Sequence, residues 1–310
     1  MIRYPLARLC RAAALAAAVA ALSGCGMVKT MALKNVADTL STGTGDVFTR
    51  DDDPDVVRGA APFALKLYES LLESLPRYEP LLVATCSNFT EYSYAFVQGD
   101  ADLIRTENHT RAKELDAEAL KLFVRGKGYC MRAMEVRFPG ITKRLMSDDE
   151  RDKALLKVKK EDVPLLYWTA ASWGSAIALG LDQPDLAVDF PTVRALAERA
   201  LALDEGWGNG ALHELMITID SVVQLGGSLE HARDHFKRAV ELQHGLAAGP
   251  YVSLAMGVSV ATEDRAEFEQ LMNQALAVDP EKDPGTRLVN LINQRRAKSL
   301  LEHADALFVK

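Results

Sequence analysis

The stretch Ala232-Arg233-Asp234-His235-Phe236-Lys237-Arg238-Ala239 places small or apolar residues at its first, fifth and eighth positions and charged residues at most of the others. That spacing marks one face of an α-helix, because residues four and seven apart return to the same side at about 3.6 residues per turn. Alanine at two of the three positions keeps the face shallow, so a neighbouring helix can approach closely. The same frame recurs as Phe268, Met272 and Ala275 before Asp279-Pro280, as Val193, Ala197 and Ala200 before Asp204, and as Ala112, Asp116 and Ala119.

The closing alanines Ala200, Ala239 and Ala275 stand 39 and 36 residues apart, near the period of about 34 of a tetratricopeptide repeat. From Ala119 to Ala200 there are 81 residues, room for two further units. The expected fold is therefore all-α: a tetratricopeptide-like array of helical hairpins, an α-solenoid of about 11 to 12 helices with a concave face suited to binding. An irregular helical bundle is the simpler alternative.

Working outward, Ala64, Tyr68, Leu71, Leu72 and Leu75 form an apolar stripe that Pro76 ends, and a second run extends from Leu82 through Phe89 to Phe96 and closes at Gly99. A third helix is expected through Ala112, Leu115, Ala119 and Leu122 to about Gly126, and a fourth through Met131, Met134 and Phe138. Ser147 with Glu150 matches a capping box. Further helices are expected over 163–179, 192–203, 211–225, 229–242, 250–260, 265–278 and 286–308, with no period-two strand. The acidic run Asp51-Asp52-Asp53-Pro54-Asp55 lacks the glycine and closing glutamate of a calcium loop, and reads instead as a helix cap followed by proline at the first helical position.

At the N-terminus, Arg3, Arg8 and Arg11 flank the apolar run Ala12 to Leu22, which at 11 residues is about half of what a spanning helix needs. This is the layout of an export signal, and Leu22-Ser23-Gly24-Cys25 resembles a bacterial lipobox, with Cys25 as the acylated residue. The domain reading is a signal peptide over 1–24, a lipidated cysteine and tether over 25–52, and a repeat domain over 53–310. Acyl chains on Cys25 would hold the protein on the periplasmic side of the envelope, with Gly26 after the cysteine favouring the outer membrane over the inner.

Residues 1–24 contain three arginines and no acidic residue, so the mature chain carries a formal charge of −10 rather than −7. An acidic surface argues against nucleic acid as a partner. With Cys10 removed and Cys25 acylated, Cys86 and Cys130 remain, either bonded in an oxidising compartment or buried as small core residues.

No catalytic constellation survives inspection. His213-Glu214-Leu215-Met216-Ile217 opens like a zinc-protease helix, but Ile217 stands where the second histidine must be. His231 and His235 are one helical turn apart yet flank packing positions, and Gly174-Ser175-Ala176-Ile177 lacks the second glycine of a nucleophile elbow. The expectation is a protein that is not an enzyme, with no cofactor and no bound metal. Two aromatic clusters remain for binding: 88–96, with Asn88, Tyr92 and Tyr94, and 165–174, with Trp168 and Trp173. On a helix the two indoles point about 140° apart, so they cannot share one face. Asn88, Tyr92, Tyr94, Trp168, Trp173 and His213 are the candidate ligand or partner residues.

Several of these stretches together resemble the T component of tripartite ATP-independent periplasmic (TRAP) transporters. They are Pro62-Phe63-Ala64-Leu65-Lys66-Leu67 through Tyr92-Ser93-Tyr94-Ala95-Phe96, Leu166-Tyr167-Trp168-Thr169-Ala170-Ala171-Ser172-Trp173-Gly174, Gly210-Ala211-Leu212-His213-Glu214, Ala248-Gly249-Pro250-Tyr251-Val252-Ser253-Leu254-Ala255 and Gln294-Arg295-Arg296-Ala297. The resemblance covers about residues 55–310. It implies a periplasmic lipoprotein that forms a homotrimer, docks the transporter's solute-binding protein, and has clefts or a pore for an apolar organic solute. The competing function is a scaffold lipoprotein of outer-membrane or cell-wall assembly.

Overall fold

The computed structural model describes residues 29–41, 44–181 and 183–308, and every regular element among them is helical. In chain order these are α1 (29–41), α2 (Thr44–Thr49), α3 (Pro54–Ser74) and α4 (Glu79–Tyr92), which runs on through a π-helical segment (Ser93–Gln98) into α5 (Gly99–Ile104). Then come α6 (His109–Arg137), α7 (Ile141–Leu145), α8 (Asp148–Leu155), α9 (Val163–Leu179), α10 (Pro184–Ala187), α11 (Phe190–Leu203), α12 (Ala211–Asp220) and α13 (Leu229–Leu242). The chain ends with α14 (Gly249–Leu254), extended by a second π-helical segment (Ala255–Ser259), α15 (Arg265–Ala277) and α16 (Arg287–Glu302). The expected export signal, residues 1–24, and Cys25 lie outside the described residues.

Neighbours in sequence are neighbours in space: α3 packs on α4, α4 on α6, α6 on α9, α9 on α11, α12 on α13 and α14, α14 on α15, and α15 on α16. The alanine frame is what permits this. Ala112, Ala119, Val193, Ala197, Ala200, Ala232, Ala239, Phe268, Met272 and Ala275 are all fully buried. The last helix also returns to the first ones, since α16 packs on α2, α3 and α5. Arg295 pairs with Asp55 at 3.1 Å, and Arg287 donates to the Arg50 carbonyl at 3.2 Å. The array thus closes on itself.

Three local expectations change. The third and fourth predicted helices are one, α6, running unbroken through Gly126. Glycine there serves close approach: a Cβ at 126 would lie 3.2–3.3 Å from Thr90 Oγ1, the Cys86 carbonyl and Phe89 Cβ of α4. Ser147 begins α8, but its hydroxyl makes no capping hydrogen bond. Residues 29–41, read as part of a tether, are helical and docked: Ala37 is in the main core, and the Tyr68 hydroxyl donates to the Leu40 carbonyl at 2.9 Å. The cap reading at Asp53 holds, with its carboxylate accepting from the N–H groups of Asp55 and Val56.

At the seam where Gly126 lets α4 and α6 meet, Cys86 and Cys130 form a disulfide across 44 residues of chain. Of the two readings open in the sequence, the bonded one is the structure. No helix among the described residues is long and apolar enough to cross a membrane.

Candidate functional site

Four helices that are far apart in sequence, α4, α9, α12 and α16, contribute charged and aromatic side chains to one linked group. Glu91 comes from α4, with Tyr94 on the π-helical segment that follows; Tyr167 comes from α9, Glu214 from α12 and Arg296 from α16. The charges of Glu214 and Glu91 and the Tyr94 phenol all act on Tyr167, and Arg296 and Glu214 act on Tyr94, so the five groups form one electrostatically linked set.

Glu91 is solvent-exposed and the other four are half-buried. Nevertheless burial pushes the carboxyls of Glu91 and Glu214 up to about 7, and pushes the phenols of Tyr94 and Tyr167 up as well. A side chain keeps accessible surface and is still desolvated when the space it faces is itself walled by protein. We refer to this partly desolvated space as the lumen.

The supports of this lumen are specific. Tyr167 packs edge-on to Trp168 with ring centroids 4.9 Å apart and against Trp207 at 4.7 Å. Gly249 backs the Glu214 carboxylate so closely that a Cβ there would overlap its oxygens, and Gln243 Nε2 lies 3.5 Å from Glu214 Oε2. Arg296 donates to the Tyr94 hydroxyl at 2.8 Å and pairs with Asp102 at 2.7 Å. The π-helical segment at Ser93–Gln98 shifts the helical register just where Tyr94 must reach across to α16.

A second concavity, about 480 Å³ in volume, lies on the α11–α12–α13 side and is lined by Arg194, Glu198, Leu201, Ala202, Glu205, His213, Met216, Asp220, His231 and His235. His213 Nδ1 is 2.7 Å from His235 Nδ1, His213 Nε2 is 3.1 Å from Glu205 Oε1, and His235 Nε2 is 3.6 Å from Asp220 Oδ2. The tautomers follow from the partners. A carboxylate only accepts, so His213 carries its proton on Nε2; its Nδ1 then accepts from His235 Nδ1–H, and the free Nε2 of His235 faces Asp220.

One added proton on His235 completes the chain, while a second would set two N–H groups against each other. Burial, the largest cause, pushes both imidazoles down from their ordinary value. Each acid here has a cation: Arg238 holds Glu205 at 2.7 Å, bringing its carboxyl down to about 2 together with His213, and Arg194 holds Asp220 at 2.7 Å. None of the lining residues supplies a hydroxyl or thiol nucleophile, and among the described residues no three His, Cys, Asp or Glu side chains group to hold a metal ion.

The six candidate residues read from sequence are dispersed. Tyr94 faces the lumen. Asn88 is half-buried one turn before Glu91, its amide donating to the Ala84 carbonyl at 2.8 Å. Trp168 is half-buried against Tyr167, whereas Trp173 is 1% exposed in the core with Lys127 Nζ 3.7 Å over its ring, which removes it from any cleft. Tyr92 leans on Phe96 and on the satellite cluster of Val97, Ala119, Phe123 and Ala176, away from the lumen. His213 lines the outer cleft.

The sequence reading included Tyr167 in the aromatic cluster 165–174 without singling it out, and passed over Trp207, Glu214 and Arg296 as functional residues. Glu214 did leave a signal, as a lone acid amid Leu212, Leu215, Met216, Ile217 and Ile219 on a helix otherwise rich in core residues.

A family model for the TRAP transporter T-component matches residues 50–308. A Treponema pallidum (strain Nichols) protein, described there only as uncharacterized, is 30% identical over 273 residues, 85% of this chain and 83% of that protein. With a match that runs through every helix from α3 to α16, the chain belongs to the TRAP transporter T-component family.

Proposed function

We propose that this TRAP transporter component works by docking the system's solute-binding protein and holding an organic solute in its lumen. The single observation that carries the reading is the set of two acids, two phenols and an arginine that α4 with its π-helical extension, α9, α12 and α16 bring within electrostatic reach in partly desolvated surroundings. A scaffold that only bridges proteins has no need of desolvated ionisable groups on an interior face, because each raises the free energy of the folded state. In this reading the helical hairpins are tetratricopeptide-like units, Cys25 carries the lipid that keeps the protein at the periplasmic face of the envelope, favouring the outer membrane, and three copies assemble as a homotrimer.

The test is calorimetric titration of the mature chain with the solute-binding protein encoded beside the transporter, with light scattering for the oligomer. Saturable 1:1 heat per protomer is expected from a trimer. A folded trimer that gives no heat with that receptor overturns the docking role.

A further inference from the structure

We infer that the end of the molecule where the chain enters α1 is a face that seats on anionic phospholipid headgroups, with Arg77, Arg132, Lys157 and Lys159 meeting the phosphates and Leu156 entering between them. The inference uses the reading of Cys25 as the acylated residue only for direction, and adds a second, non-covalent hold that orients the array on the bilayer.

Distances bring this end together from separate parts of the sequence. Lys34 of α1 lies over the Tyr78 ring at 5.3 Å, and Arg77 precedes Tyr78 in the α3–α4 turn. Arg132, near the end of α6, donates to the Pro76 carbonyl of that turn at 2.9 Å. Further along α6, Arg137 pairs with Glu161 at 2.9 Å and Asp162 at 2.7 Å. That contact sets the α8–α9 connection, with Lys157, Lys159 and Lys160, beside the turn.

Charge is layered here. Lys34, Arg77, Arg132, Lys157, Lys159 and Lys160 are all exposed, whereas Asp162 is buried, Asp38, Glu79 and Asp204 are half-buried, and only Glu73 and Glu161 of the acids at this end stand exposed. Arg137 takes up Glu161 and Asp162, and Lys160 takes up Asp204 at 3.1 Å. No carboxylate among the described residues pairs with Arg77, Arg132, Lys157 or Lys159. On a mature chain of formal charge −10, bases left unpaired on one end mark a surface that meets an anion.

Two observations make that anion a bilayer. Leu156, beside Lys157, is 71% exposed; a leucine ringed by bases suits the headgroup boundary, where the chain finds acyl carbon and the bases find phosphate. The second is the course of α1. Leu40 meets Tyr68 and Lys34 meets Tyr78, so the helix comes in from the α3–α4 turn. Lys29, where the described chain starts, is four residues after Cys25, a span of at most about 14 Å. Acyl chains on Cys25 therefore enter the membrane next to this face.

The test uses the mature chain with Cys25→Ser, so that no acyl chain contributes, sedimented with vesicles of phosphatidylcholine alone or with about 30% phosphatidylglycerol. At low salt the anionic vesicles should bind at least about tenfold more tightly, against the sign of the whole chain, and about 0.5 M salt should abolish the difference. The exposed-site variant Arg77→Glu/Lys157→Glu/Lys159→Glu should lose about tenfold or more with helicity unchanged, and Leu156→Asp roughly fivefold. Lys113→Glu/Lys121→Glu, in the other half of α6, should change binding less than about twofold.

No binding to anionic vesicles, equal binding to both kinds, or a triple variant that keeps wild-type affinity overturns the face. The mass of the native protein decides the anchor separately. Vesicle binding as expected, from a protein whose native form carries no acyl chain on Cys25, keeps the face and discards the anchor; an acylated native protein whose Cys25→Ser form ignores both vesicles keeps the anchor and discards the face.

Discussion

His213 and Glu214 are consecutive residues of one helix, and they face two different solvents. His213 points into the α12–α13 cleft, where Glu205, Arg238, Asp220 and Arg194 form a mesh in which each acid has a base. Glu214, about 100° further around the helix, points into the lumen, where its hydrogen-bond partner among the described residues is the Gln243 amide. The acids of the two regions accordingly move in opposite directions: Glu205 is brought down to about 2 and Glu214 is pushed up to about 7. What separates them is pairing, not exposure to the chain. A paired mesh of this kind ties elements together, whereas unpaired acids in an enclosure are a standing cost, and a protein keeps them where a ligand completes the site.

The largest expected effect tests whether the lumen wall depends on the link behind it. Cys86 Sγ lies 3.7 Å from the Trp168 carbonyl, so the disulfide sits directly under the aromatic corner. Replacing both cysteines by serine frees a loop of 44 residues and should lower unfolding free energy by roughly 3–4 kcal/mol, read in urea with and without reductant. The His213–His235 chain, on the other side of α12, should keep its NMR signature under native conditions. A loss that appears equally at both sites would mean the two regions are not separable.

Next in size is Glu214→Gln. The folded carboxyl sits near 7 and the unfolded one near 4.5, so the acid is harmless below pH 4.5 and its cost grows as pH rises, becoming complete above pH 7. The variant should match the wild type at pH 4.5 and exceed it at pH 8 by about 2 kcal/mol, after allowance for the surface the side chain keeps. Equal denaturant midpoints across that range would show that the lumen is open to bulk water and the contrast with the cleft is false.

His213→Gln should do the reverse on a smaller scale. Both imidazoles are pushed down in the folded state, so unfolding takes up protons below about pH 6.5, and the wild type loses stability on acidification through that range. At pH 8 the variant should cost about 1–2 kcal/mol through the broken contacts to His235 and Glu205. Its further loss between pH 7 and pH 5 should be shallower than that of the wild type. A steeper acid loss in the variant would assign the sensitivity to other groups.

How far the sequence carries is visible in these same residues. Ala232 and Ala239, Ala197 and Ala200, and Met272 and Ala275 announce a helical array because burial on a helix leaves a period that any window of the chain displays. The angle between Trp168 and Trp173 likewise follows from local geometry, and the structure sends one to the core and leaves the other half-exposed. Gly126 misled because a glycine that stops a helix and one that admits a neighbouring helix look alike in sequence; only the partner, Cys86 to Thr90 on α4, distinguishes them.

The lumen was illegible for a stronger reason. It exists because α16 returns to α3 and α5, bringing Arg296 to Tyr94 across 202 residues, and no local pattern encodes ring closure. Before closure, Glu214 is merely an acid on an amphipathic helix.

The smallest effect belongs to the closure itself. Arg295 and Arg296 are consecutive, like His213 and Glu214, and again point to different surroundings. Arg295 makes a two-pronged pair with Asp55 at 3.1 and 3.2 Å on the outer rim, both side chains well exposed. Exposed pairs gain little, because water competes for both charges and salt screens what is left. Arg296 lies inside, 17% exposed, between Tyr94 and Asp102. If the ring is held by this inner contact and by helix packing, Arg295→Ala should leave the urea midpoint unchanged within error at any salt concentration, although it removes the longest-range ion pair among the described residues. A measurable loss at low salt that disappears at high salt would instead place the closure on the rim, and would make the lumen a space that ionic strength can open.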